Sequence, residues 1–312
     1  MAKSGTGWWL IAAAVAPAWG AQPLLAQDDA LTVALDEPID VEIDGTALNI
    51  AFHTGGYNRL TLHPETVARM EIRPDPAVGN EKPLLKIGGT GVLIGRSRRI
   101  NVTAKGVEHE ARLLWFPGAS GGTMDGTMGP LAMPHDHIAI RLGGSSIQPY
   151  SFPLLGSING EVGTRFTHDG GVMFVNFAVE ETGPYPLASA AAGAAIAAAY
   201  DGVSTDEVWR EHIALGIRRW VRLVRLGRPL VIGPFSFDAI AVRVRDRLDG
   251  TGSGDKLPEP ASPDDDPSEI VVTAPGNKGP QPVFSFRIGR ADLERCSMLE
   301  YEKGAKEIRL SC

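Results

Sequence analysis

The residues of this chain best suited to chemistry fall in two short loops. His53-Thr54-Gly55 follows the apolar run Ile50-Ala51-Phe52, and Glu181-Thr182-Gly183 follows the run from Val172 to Val179. An imidazole and a carboxyl group brought together form an acid–base pair, in which a neutral His53 acts as general base and a protonated Glu181 polarises a carbonyl. The opposite protonation state, imidazolium facing carboxylate, stabilises both charges and leaves no proton poised for transfer. The charged pair is the expected state, and the acid–base pair is the alternative.

Other chemistries have less behind them. His135-Asp136-His137 sets two imidazoles on one face of a strand, and a zinc site needs at least one protein ligand more. No metal and no cofactor are expected. Gly-x-Ser-x-Gly is absent, and Gly143-Gly144-Ser145-Ser146 lacks the strand-turn-helix setting of a serine nucleophile. The glycines at 88, 89 and 91 are not followed by the Gly-Lys-Ser/Thr of a phosphate loop.

The elements that must carry the two loops are short and strand-rich. Val41-Glu42-Ile43, Asp44-Gly45 and Leu48-Asn49-Ile50 read as a hairpin, since Asp-Gly between apolar runs favours a two-residue turn. Pro64 to Met70 reads as a short helix opened by proline. Lys82 to Ile94 is a hairpin with a glycine-rich tip, Gly88-Gly89-Thr90-Gly91. In the second half, Ser189 to Tyr200 is an alanine-rich helix. Three strands follow: Trp220 to Leu226, Arg228 to Ile232 and Ala239 to Val244.

This order of strand, x-Thr-Gly loop, strand and short helix resembles the active-site unit of aspartic peptidases, whose motif is Asp-Thr-Gly. The paired glycines at 88 and 89 look like the flap of the retroviral-type members. Met128-Gly129 and Ile288-Gly289 resemble the family's hydrophobic-Gly pair, which opens a short helix beneath each active-site loop. The set occurs twice, in the same order, over nearly the whole chain. The resemblance therefore implies an all-β fold with minor α: two retropepsin-like β-barrel lobes related by a pseudo-twofold axis. The expected lobes are 32–148 and 172–312, joined by a connection at 149–171. It also implies roles by position. His53 and Glu181 take the two aspartate positions, Thr54, Gly55, Thr182 and Gly183 brace the loops, and residues 88–91 cover the substrate. Gly129 and Gly289 are structural. The family needs two carboxylates that share one proton. Here both aspartates are replaced, so the resemblance implies a peptidase fold with impaired chemistry that still accepts an extended peptide or protein segment in its cleft. An active aspartic-type or His/Glu endopeptidase is the alternative.

Composition sets the remaining bounds. The chain has 312 residues, 43% hydrophobic and 21% charged, which fits a globular protein with a core, and 37 glycines and 23 prolines fit many short strands and turns. A net charge of -7 argues against a nucleic-acid partner. Lys3 followed by the apolar run Trp8 to Val15 and small-residue sites after Gly20 or Ala26 has the layout of a secretory signal peptide, 1–26, too short to span a bilayer. A periplasmic or secreted monomer is expected. In that compartment, a hairpin turning at Gly304 would set Cys296 opposite Cys312 as a disulfide pair. The Gly/Pro/Asp-rich stretch 248–281 reads as an inserted surface loop.

Overall fold

The computed structural model of the chain describes residues 30–55, 59–75, 82–87, 91–117, 123–156, 161–215, 217–246, 270 and 282–312. The signal-peptide segment, the flap tip at 88–90 and nearly all of the 248–281 insertion lie outside these residues. Strand predominates over helix, as an all-β chain requires.

The first unit is a closed six-stranded barrel. Its entry strand β1 (Ala30–Ala34) lies outside the ring. β2 (Ile39–Ile43) alternates buried and exposed residues, and it turns into β3 (Thr46–Phe52) through Asp44 (φ 49°) and Gly45 (φ 77°). Both residues are left-handed, the type I′ geometry that the Asp-Gly sequence favours. β4 (Leu60–Leu62) leads to helix α1 (Pro64–Arg69), then β5 (Lys82–Ile87), β6 (Gly91–Ala104), β7 (Val107–Trp115) and β8 (Gly126–Met128). The ring runs β2-β3-β8-β4-β7-β6 and closes where β6 returns to β2, Ala104 opposite Val41. Ile39, Val41, Leu48, Ile50, Leu60, Leu62, Val102 and Leu113 are buried in the core this closure makes. β5 hangs outside the ring as the free arm of the glycine-tipped hairpin.

A 3-10 turn at Pro130–Ala132 and β9 (His137–Arg141) follow, and then β10 (Pro149–Pro153). The second unit comprises β11 (Leu155–Gly156), β12 (Val162–His168), β13 (Gly171–Ala178), β14 (Leu187–Ala188), helix α2 (Ala190–Ala199), β15 (Val203–Ala214), β16 (Ile217–Ile232), β17 (Phe235–Arg243) and β18 (Ser285–Gly289). Helix α3 (Arg290–Leu293), β19 (Met298–Glu302) and β20 (Glu307–Ser311) end the chain. The stretch 149–171, read as a connection, thus holds β10, which joins a sheet shared by both halves, and the first strands of the second unit.

The two units share one wiring. β3 pairs parallel with β8, β8 antiparallel with β4, and β4 parallel with β7. β13, β18, β14 and β17 repeat those three pairings in the same senses. A helix follows β4 and β14 alike, and a short helical turn follows β8 and β18 alike. The units then meet as β9 and β19, antiparallel at the centre of the sheet β1-β9-β19-β20-β10.

They differ in closure. The second sheet runs from β11 to β15 with no pairing between its ends among the described residues, where the resemblance implies a second closed barrel. β16 bulges between Arg225 and Leu230, where the Gly227 N–H turns aside to Tyr200 O at the end of α2. That helix lies hard against β17: a Cβ on Gly193 would stand 2.2 Å from Val242 Cγ1. Its start is held by Ser189 Oγ, which accepts from Ala192 N, and by Asp246, which accepts from Ala190 N and Ala191 N.

Cys296 and Cys312 are placed as a disulfide pair with Cα atoms 4.0 Å apart. The turn between β19 and β20 spans 303–306, with Glu302 opposite Glu307, so Cys312 faces Ser297 rather than Cys296 directly. The expected register, centred on Gly304, is one residue off because the loop has four residues. The bond closes a short loop around a buried Cys296. Removing it by Cys312→Ser is expected to cost about 3 kcal/mol by loop-closure entropy. Urea denaturation of oxidised wild type against this variant measures the loss, and coincident midpoints would show that the bond does not constrain the chain.

Candidate functional site

β3 and β13 deliver the two loops to one place. The His53 N–H continues the β3–β8 pairing by donating to Met128 O (3.1 Å). The next residue, Thr54, is wholly buried and reaches across to the other unit. Its hydroxyl donates to Phe177 O and accepts from Val179 N (3.0 Å). In return, the Glu180 carboxylate accepts from Thr54 N (3.1 Å) and Gly55 N (2.9 Å). Only a glycine fits at 55, since a Cβ there would stand 2.5 Å from Ala178 Cβ. One threonine and one glutamate therefore interlock the two units by side-chain to backbone hydrogen bonds.

Strand register fixes which residues correspond. Phe52 stands opposite Met128, one residue before Gly129, and Phe177 stands opposite Ile288, one residue before Gly289. Gly129 and Gly289 each precede a short helical turn, as expected. Counting onward, His53 corresponds to Ala178, Thr54 to Val179 and Gly55 to Glu180. Glu181-Thr182-Gly183 lies three residues beyond Ala178 and is not the counterpart of His53-Thr54-Gly55. Thr182 is exposed and takes no part in the interlock. Gly183 lies against the Glu211 carboxylate, where a Cβ would be 3.0 Å from Oε2.

Glu181 faces Arg287 instead of His53. Arg287 Nη1 donates to Glu181 Oε1 (2.7 Å) and to Ile213 O (2.7 Å), and Nη2 donates to Glu161 Oε1 (3.1 Å). Burial pushes the Glu181 carboxyl up to about 7. Arg287 pulls it down, while Glu180 and Glu211 add to the upward push. Burial opposes the Arg287 charge, but Glu181 and Glu161 outweigh it and raise its pKa. Ile213 belongs to β15, so this ion cluster also ties the β15–β16 hairpin to the loop. His212, beside Ile213, has its pKa lowered by desolvation and then by the charges of Arg287 and His53, which puts the hairpin within electrostatic reach of His53.

Arg290 is a residue that sequence reasoning passed over. Its backbone N–H donates to Glu181 O (2.8 Å), its Nε to Val179 O (3.0 Å), and its guanidinium pairs with Asp36 at the end of β1. Its only sequence signal is its place directly after Ile288-Gly289. Beside it, a cavity of about 160 Å³ opens between the units, bordered by Phe52, His53, Met124, Val179, Glu180 and Arg290. Beneath the interlock the buried Tyr301 hydroxyl faces Thr54 and Glu180 without a hydrogen bond of ordinary geometry, and burial raises its pKa.

The remaining candidates lie elsewhere. His137 Nε2 is bonded to Glu300 Oε1 (3.1 Å) across β9 and β19, and His135 is buried. Among the described residues no group of three or more His, Cys, Asp or Glu is set to hold a metal ion. Gly91 opens β6, and the rest of the flap tip is outside the described residues. No described helix is long and apolar enough to cross a membrane.

The raised Glu181 pKa has a signed consequence. Between the ordinary value of 4.5 and about 7, the folded protein keeps a proton that the unfolded chain has lost. Stability therefore falls as pH rises through that window, at no more than about 1.4 kcal/mol per pH unit. Glu181→Gln is expected to flatten this slope in urea denaturation at weakly acid and neutral pH. A wild-type stability that runs parallel to the variant's over this window, and drops relative to it only below pH 4.5, would mean that Arg287 holds Glu181 ionised.

Comparison of the chain with protein-family models and with curated proteins gives no match.

Proposed function

We propose that this protein is an exported, two-lobed aspartic-peptidase-like module that binds an extended peptide between its lobes and does not cleave it. The doubled wiring, the antiparallel meeting of β9 with β19 and the matched Gly129 and Gly289 support a pseudo-twofold relation of that kind. The paired cysteines and the N-terminal sequence layout support export.

One observation carries the loss of chemistry: Ala178 holds the position that corresponds to His53. Peptide hydrolysis by this architecture needs two carboxylates close enough for repulsion to split their pKa values into an acid and a base. Alanine offers no proton, and His53 offers no carboxylate. Glu180 borders the same cavity as His53, but both of its oxygens already accept backbone N–H groups. A bilobal cleft with a free hairpin arm can still take a strand-like peptide through main-chain pairing and side-chain pockets.

The mature protein is expected to bind a peptide transition-state mimic while showing no peptide turnover from acid to neutral pH. Turnover that is lost in both His53→Ala and Glu180→Gln would replace the binding module with a His/Glu hydrolase.

A further inference from the structure

The cavity beside His53 has a chemistry of its own. Its walls are largely apolar, with Leu35, Phe52, Met124 and Val179 among them. Its volume of about 160 Å³ has room for several water-sized groups. Three carboxylates border it. Asp36 is matched by Arg290, and Glu37 lies 3.6 Å from Lys105 Nζ. Glu180 makes no ion pair among the described residues, and the Arg287 charge reaches it only at longer range: its bonds go to Thr54 and Gly55. A carboxylate offers about four lone-pair sites, so two backbone N–H groups leave acceptor capacity toward the cavity. Apolar walls with one anion that makes no direct ion pair complement a long aliphatic stem that ends in a cation.

We propose that this cavity is the pocket for a lysine-type side chain of the bound peptide. The proposal rests on the peptide-cleft reading for its occupant. The stem methylenes leave water against Phe52, Met124 and Val179, and the ammonium supplies the direct ion pair that Glu180 lacks. His53 borders the same cavity. A norleucine of the same length would fill the walls but leave Glu180 desolvated without compensation. A glutamate would place a like charge against it.

Three peptides identical except for lysine, norleucine or glutamate at one position are titrated into wild-type mature protein at neutral pH. The lysine peptide is expected to bind about tenfold or more tightly than the norleucine one, with glutamate weakest, and Glu180→Gln should bring the lysine-to-norleucine ratio close to one. Equal binding of lysine and norleucine by the wild type overturns the pocket and leaves the cleft reading intact. If no peptide binds, the cleft reading fails, and n-pentylammonium against pentanoate decides the pocket by backbone amide NMR shifts. Shifts at Ala51, Met124 and Val179 with the ammonium alone uphold it. Their absence overturns it. The small-molecule arm uses the wild type only, so a poorly folding Glu180 variant leaves the test in force.

Discussion

The arrangement depends on how two tight loops from different units satisfy each other's backbone where they meet. Buried N–H groups left without acceptors are costly, and at this junction no strand pairing is available to them. Thr54 uses both capacities of its hydroxyl, donating to Phe177 O and accepting from Val179 N. The corresponding residue in the second unit, Val179, has no hydroxyl to return the contact. Glu180 fills that role with a charged acceptor that takes Thr54 N and Gly55 N together. Charge-assisted bonds are the stronger kind, so a single carboxylate can replace the missing half of a reciprocal threonine contact.

That solution shapes everything around it. Glu180 is committed to the loop of the other unit, which removes it as a free acid. Arg290 secures the same stretch from below through Val179 O and Asp36, and Arg287 secures the next residue, Glu181. The second loop is therefore held by two arginines and a structural carboxylate. A catalytic pair would need two poised carboxyl groups at corresponding positions, and His53 and Ala178 supply none there.

What the sequence made legible is what local rules govern. Asp44-Gly45 specified its turn because few residue pairs adopt two left-handed conformations. Ser189 and the alanines after it specified α2 by capping and propensity. Met128-Gly129 and Ile288-Gly289 were found because an apolar residue and a glycine recur at the same structural juncture. The second loop was misplaced because Thr-Gly is a two-letter signal, and Glu181-Thr182-Gly183 supplied it three residues too late. Ala178-Val179-Glu180 has no signature at all; its role appears only when β13 is set in register on β18. The strand order of the second sheet and the Arg287 cluster likewise join residues far apart in sequence, beyond the reach of periodicity or turn chemistry.

The central claim is that Glu180 is a structural latch between the units, and its removal tests that most directly. Urea denaturation of Glu180→Ala at neutral pH should show a loss of about 2 kcal/mol or more, because two backbone N–H groups lose a charged acceptor. A stability within about 0.5 kcal/mol of wild type, as for an ordinary surface substitution, would contradict the latch and return Glu180 to the free acids of the site.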